Sequence, residues 1–397
     1  MRNSTILRFF SRKGVPFWRD VEVLKWIAQV VSAILVIGFV YFFISNLIKA
    51  ANARGLGLSL GFMDDAAGFP IAESVIPYAP SDSFGYALWV GFLNTLKVAL
   101  VGIVLATLVG FMAALARLSD NWLVRSIAGL YVNIIRNIPL LVQLFIWYFA
   151  VFQQLPPVNE AITLPGPVYL SQRGLYLVGY KPTSSFSVWL LIVLIGLVLA
   201  FLLYRYLLNY QLRTGRSTYP FVFGTIVFTI FALSGWLFSA PPPLEKTIPI
   251  LGRFNFEGGL SLTPEFAALL TGLVVYTGAF ITEVVRGGIL SVPKGQIEAA
   301  RAIGLNEILT LRLVVIPLAL RVIIPPLISQ YLNLTKNSSL AIAIGFVDLF
   351  FVGRTIINQA GQAVPVFILI MATYLGISLI TSAIMNVYNR RVQLVER

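Results

Sequence analysis

Gly295-Gln296-Ile297-Glu298-Ala299-Ala300-Arg301-Ala302-Ile303-Gly304 stands inside the stretch Glu283 to Pro326, and the reading of that stretch decides the fold. Pro293 suits the start of a helix, Glu298 lies early in it and Gly304 is a terminator, so these residues read as a short polar helix with its own start and stop signals. On such a helix Ile297, Ala300 and Gly304 fall on one face, a small-knob profile that could seat in a cleft of a cytosolic partner. A helix lying on the membrane surface is the other reading, although it would call for bulkier Leu, Phe or Trp on its apolar face. The residues alone leave both open. An apolar run from Val314 to Leu334 follows, interrupted by Pro317, Pro325 and Pro326, which remove backbone donors, free carbonyls and favour a kink. Such a span could serve as a gate helix.

Working outward, runs of spanning length occur at about Leu24 to Ile48, Ala87 to Leu115, Ile127 to Phe152, Phe186 to Leu208, Tyr219 to Ala240, Phe266 to Leu290, Val314 to Leu334 and Val364 to Val387. A helix needs only about 20 apolar residues to cross the hydrocarbon. With 58% of 397 residues hydrophobic and 11% charged, and a mean hydropathy of +0.86, the bilayer is the main solvent. The expectation is an all-α, polytopic membrane helix bundle of about eight transmembrane helices. The chain has no Cys and no His, which removes disulfides, thiol nucleophiles, imidazole bases and nearly every zinc site. No catalytic or metal-ligating residue is expected.

The net charge of +13 is spread in a way that sets topology. Lys and Arg number 18 in the N-terminal segment, alternate loops and tail, against 8 in the intervening loops, with Lys97, Arg136 and Arg321 inside spans. Basic loops stay cytoplasmic, so both termini are expected inside. Dispersal over many loops also argues against nucleic-acid binding, which needs one basic stripe. Ala51-Asn52-Ala53 resembles a small-residue cleavage site, but the run before it exceeds an h-region of about 7 to 15 residues, so the first span reads as a retained anchor. The stretches Ala50 to Phe84, Gln153 to Ser185 and Pro241 to Thr263 are rich in Gly, Pro and Ser and read as outside loops with short capping elements.

Gly57-Leu58-Ser59-Leu60-Gly61 matches a nucleophile-elbow string, but no His can activate the serine. Gly174, Gly179 and Lys181 only approximate a phosphate loop, leaving no visible nucleotide site. Gly102, Ala106, Gly110 and Ala114 recur every four residues and read as a close-packing face. Arg136 and Gln143, seven residues apart, fall on one face of a continuous third span and either face the bundle interior or, for Arg136, snorkel to the cytoplasmic interface. Asn333, Lys336 and Ser338 could meet a substrate carboxylate or simply cap the helix.

Glu298-Ala299-Ala300, followed by Gly304 and then Ile316-Pro317, resembles the EAA loop of the permease subunits of binding-protein-dependent ABC importers, in their polar amino-acid branch. Asn94-Thr95-Leu96-Lys97, Arg136-Asn137-Ile138-Pro139-Leu140-Leu141-Val142-Gln143, Glu283-Val284-Val285-Arg286-Gly287-Gly288-Ile289 and Lys336-Asn337-Ser338-Ser339-Leu340 support the resemblance in the family's order. It covers Gly85 to Phe152 and Phe266 onward. The implied layout is a segment 1–84 with an extra span and outside loop, a permease core of five helices in 85–152 and 266–397, and an insertion 153–265 with two more spans. The long form resembles the general L-amino-acid permease type of alpha-proteobacteria. Pro317-Leu318-Ala319 departs from the family, which often has Gln after Pro.

The resemblance implies an inner-membrane translocation subunit of an ATP-driven amino-acid importer, with Glu298, Ala299, Ala300 and Gly304 docking into an ATPase subunit. It also implies ABC ATPase partners that carry the ATP, a second and non-identical permease, and a periplasmic amino-acid-binding protein. No cofactor is expected in this chain. The rival is an ion- or proton-coupled secondary carrier, which would want carboxylates within spans; Glu283 is almost the only candidate.

Overall fold

The protein is described by a computed structural model over residues 21–53 and 59–392. The basic N-terminal segment before Val21, Arg54 beyond the cleavage-like site, Gly57 and Leu58 of the elbow string, and Arg397 lie outside the described residues. The helices are α1 (Val21–Ala53), α2 (Phe84–Leu118), α3 (Trp122–Asn137), α4 (Leu140–Phe145), α5 (Phe186–Thr214), α6 (Pro220–Leu237), α7 (Pro264–Leu290), α8 (Lys294–Ala302), α9 (Glu307–Thr310), α10 (Ile316–Asn337), α11 (Leu349–Ala360) and α12 (Ala363–Val392). Among the described residues seven helices are long and apolar enough to cross a membrane, or eight if one bent pair counts as a span. The fold is therefore the helical, polytopic one expected.

That bent pair corrects the third span. The run Ile127 to Phe152 is not continuous: Trp122–Asn137 and Leu140–Gln154 meet at 106°. Ile138 is extended (φ −100°, ψ 126°), and Pro139 after it has no N–H to continue the ladder. Arg136 and Gln143 thus sit on two differently directed helices, not on one face.

The chain divides into two compact units. One comprises residues up to Phe69, Pro80–Leu88 and Val352–Leu375; the other comprises Pro70–Ala79, Trp89–Phe351 and the residues from Gly376 onward. In the first, the loop before α2 is closed by Ala67 N–H donating to Asp82 O (2.7 Å) and Gly68 N–H to Pro80 O (2.8 Å). Gly353 of α11 fits under Ile370, where a Cβ would stand 2.4 Å from its Cδ1.

In the second unit α7 is the hub, and small residues let its neighbours approach. A Cβ on Gly272 would lie 2.6 Å from Leu144 Cδ2, one on Gly288 2.3 Å from Ile323 Cγ1, and one on Gly110 of α2 2.6 Å from Ile281. Ala106 and Ala114 are fully buried, so the small-residue face of α2 is a packing seam.

The insertion holds more structure than its loop-like sequence suggests. Strands β1 (Ile162–Leu164), β2 (Val168–Ser171), β3 (Gly174–Leu177), β4 (Gly179–Pro182), β5 (Leu244–Thr247), β6 (Ile250–Leu251), β7 (Phe256–Glu257) and β8 (Leu260–Leu262) form a sheet ordered β1-β2-β3-β8 and the pairs β4-β5 and β6-β7, all antiparallel. Strands of two to four residues are too short for an alternating pattern to register. Tyr176 anchors them: its ring meets Phe256 at 4.7 Å, its hydroxyl donates to Asn255 Oδ1 at 2.5 Å, and burial pushes that hydroxyl's pKa above the ordinary value. Helices α5 and α6 form a hairpin closed by small residues, with Gly196 beneath Phe231 and Gly235 beneath Ile192 and Trp189. Their other surfaces are exposed and apolar, as suits contact with lipid.

Candidate functional site

α7 runs from the strand-bearing end of the insertion to α8, and its 27 residues span about 40 Å at 1.5 Å per residue. The two ends of the second unit thus carry different chemistry.

At one end α8 closes with a paired cap: Gly304 N–H donates to Arg301 O (2.9 Å) and Leu305 N–H to Ala300 O (3.1 Å), with Gly304 at φ +83°. That backbone arrangement explains the terminator, since glycine enters the left-handed region without penalty. Glu298, Ala299, Ala302, Ile303 and Gly304 are exposed. Ala300 is only 3% exposed, and Ile297 packs against the chain's own core. Within this chain Ile297 and Ala300 turn inward, while Glu298, Ala299 and Gly304 lie on the outward surface with Ala302 and Ile303, the last 78% exposed. Arg301 and Glu307 pair across the following turn at 2.9 Å. Nearby, Glu283 accepts from both Arg117 and Arg286 (3.5 Å), so its charge is balanced by two guanidinium groups.

α10 continues as helix through Pro325 and Pro326; the wide π turn Leu311–Val315 precedes Pro317 instead. Pro317, Pro325 and Pro326 are all exposed. Asn333 and Lys336 are exposed as well, and Ser329 joins them one turn below; the three sit at i, i+4 and i+7, on one face. Ser338 is buried, its hydroxyl donating to Thr335 O at 2.8 Å, which caps the helix. Arg321 is half-buried.

At the elbow between α3 and α4, Gln143 is 3% exposed and its Nε2 donates to Ile135 O and Ile138 O, each at 2.9 Å. Arg136 is exposed, its guanidinium 5.0 Å from the Phe280 ring centroid. The structure does not place Arg136 and Gln143 in one binding constellation.

Sequence reasoning missed a network at the opposite end from α8. Glu73 Oε1 pairs with Lys97, while its Oε2 accepts from Thr263 N–H (3.0 Å) and Oγ1 (2.8 Å). Asn94 Nδ2 donates to Glu73 O and Val347 O, both at 2.8 Å, and Thr95 Oγ1 accepts from Leu349 N–H at 3.1 Å. The quartet Asn94-Thr95-Leu96-Lys97 is thus a structural tie. Its signal was a lone cation and an amide at the start of an apolar run; the partner Glu73 carried none.

Residues 106–394 match the binding-protein-dependent transport system inner membrane components, and the chain belongs to this family of multi-span permeases. It is 42% identical over 379 residues to AapQ, a general L-amino acid transport system permease protein of Rhizobium johnstonii, covering 93% of this chain and 92% of that one. YhdX of Escherichia coli, provisionally named an amino-acid ABC transporter permease, is 45% identical over 389 residues, 97% of this chain and 98% of its own length. A crystal structure of an amino acid ABC transporter with histidines aligns with a TM-score of 0.47 at 20% identity, over 78% of this chain and 95% of that one.

Proposed function

We propose that this chain is the translocation subunit of an ATP-driven amino-acid importer of the inner membrane, with both termini cytoplasmic, alternating between outward-open and inward-open states. The observation that carries the reading is the face of α10 bearing Ser329, Asn333 and Lys336, exposed on its own chain within a spanning helix. Polar groups in a span rarely face lipid; Ser329 and Asn333 lie inside α10, and Lys336 stands in its last turn. The face is completed by a second, non-identical permease, with a polar route between the two chains in which Lys336 and Asn333 meet a substrate carboxylate.

ATP binds separate ATPase subunits, and their closure is transmitted through Glu298, Ala299, Ala302 and Ile303. Energy enters as differential stabilisation of the two states. A periplasmic amino-acid-binding protein delivers substrate at the end opposite α8. No cofactor is held by this chain. The pairing of Glu283 with Arg117 and Arg286 supports a structural role for that carboxylate over a proton relay.

The test is uptake into proteoliposomes holding the permease pair and ATPase, with the binding protein outside. Uptake that requires internal ATP and survives ionophores is expected. Uptake without ATPase that collapses with an ion gradient would establish the secondary carrier instead.

A further inference from the structure

We infer that Gln143 is a positioning residue of the translocation cycle: a side-chain clamp that supplies the donors the α3–α4 elbow lacks, and not a ligand for substrate. The backbone accounts for the need. In a continuous helix Ile135 O would accept from the N–H of residue 139, which is Pro139 and has none. Val142 and Gln143 N–H both turn to Pro139 O, at 3.0 and 3.2 Å, so the backbone donor due to Ile138 O is diverted as well. Ile135 O and Ile138 O therefore both lose their helical donors at this bend, and a buried carbonyl left without a donor is costly. The primary amide of Gln143 has two N–H groups and places them on these two acceptors at 2.9 Å each.

The clamp's remaining atom points to the same role. Gln143 Oε1 is buried and has no hydrogen-bond partner among the described residues, so the side chain offers no accessible polar atom to a passing solute. The elbow has contacts on both arms. α4 packs on the 3₁₀ turn Ser338–Ile344 that ends α10, and α3 is fixed to α7 by Tyr131 Oη donating to Val275 O at 2.7 Å. α7 also packs directly on α10 and on that turn, so holding 106° between the arms keeps α4 seated against the end of the polar α10 face while α3 stays on α7. The clamp acts on transport through that placement.

The inference rests on the importer reading, and ATP-dependent uptake by the wild-type complex is measured first; its absence would fail that reading without touching the geometry. In the full complex, Gln143→Leu keeps the volume and removes the donors. Expected is a fall in maximal uptake rate of roughly tenfold or more, the scale of leaving buried acceptors unpaired, with the substrate KM unchanged. Gln143→Glu keeps the shape but donates only when protonated, so the ratio of variant to wild-type rate should fall as pH rises and the carboxyl ionises. The charged or titratable groups on the elements packed around α4 are Arg125, Tyr131 and Arg136 on α3, Tyr148, and Glu265, Tyr276, Glu283 and Arg286 on α7, with none in the 338–344 turn. Normalising to wild type cancels their contribution. Gln143→Leu uptake within twofold of wild type, a raised KM at unchanged maximal rate, or a Gln143→Glu ratio flat with pH would each overturn the clamp; the Glu variant decides should the Leu variant fail to assemble.

Discussion

The Lys97 ammonium lies 4.4 Å from the centre of the Phe266 ring while paired with Glu73, so one cation is held by a carboxylate from the 70–79 loop and an aromatic face from the first turn of α7. Glu73 is the more deeply buried partner, its side chain 9% exposed against 25% for Lys97. Breaking a buried pair from one side leaves an uncompensated charge. Glu73→Gln should lower stability by about 1 to 3 kcal/mol, below the cost of breaking a fully buried pair because Lys97 keeps some solvent. A double-mutant cycle with Lys97→Met, followed by thermal unfolding in detergent, measures the coupling; additive effects would show the pair to be dispensable.

The α2–α7 seam has no room for a side chain at Gly110, where a Cβ would also stand 3.0 Å from Gly278 O. Gly110→Val should cost about 1 to 3 kcal/mol or more through overpacking. Gly129, where a Cβ would meet nothing within 4 Å, provides the contrast: Gly129→Ala should stabilise α3 by roughly 0.5 to 1 kcal/mol. Comparable losses at both sites would contradict the seam.

At α8 and its closing turn, where ATPase docking is proposed, the backbone and the surface separate by mutation. Gly304→Asn should retain uptake, because Asn tolerates the left-handed conformation, whereas Gly304→Val should lose it through strain of about 1 to 2 kcal/mol. Ile303→Asp leaves the cap intact and should strip the ATPase during co-purification while the permease remains folded. Normal ATPase retention in Ile303→Asp would move the docking surface elsewhere.

Because the chain has no cysteine, single cysteines report sidedness without background. Ile303→Cys should react with an impermeant maleimide only from the cytoplasmic side, and Arg173→Cys, on the insertion, only from outside. Labelling of both from one side would refute the charge-based orientation.

The spans were legible because a solvent of hydrocarbon imposes long apolar runs. The elbow was not, although Pro139 was in view, since a window of about 20 residues averages over a one-residue break. Periodicity placed Ile297 and Ala300 together but could not say that their face turns inward; that depends on the core cluster against which Ile297 packs and on the π turn Leu311–Val315 that contacts α8. Glu73 meets residues 24 and 190 positions away, a pairing no local pattern encodes. Gly304 was legible as a terminator because that role is local, whereas Glu298 sits mid-helix and not in the first turn.

The insertion sets a schedule for biogenesis. Between Gln154, where the elbow's second arm ends, and Pro264, where α7 begins, about 110 residues must be made, which at roughly 5 to 20 residues per second takes on the order of 5 to 20 s. Throughout that interval Gly110 and Leu144 await Ile281 and Gly272, their contacts on the hub. The α5–α6 hairpin closes on itself within a stretch of 52 residues from Phe186 to Leu237 and can mature in the meantime, so nascent chains arrested before Pro264 should show a protease-resistant hairpin beside unassembled α2, α3 and α4.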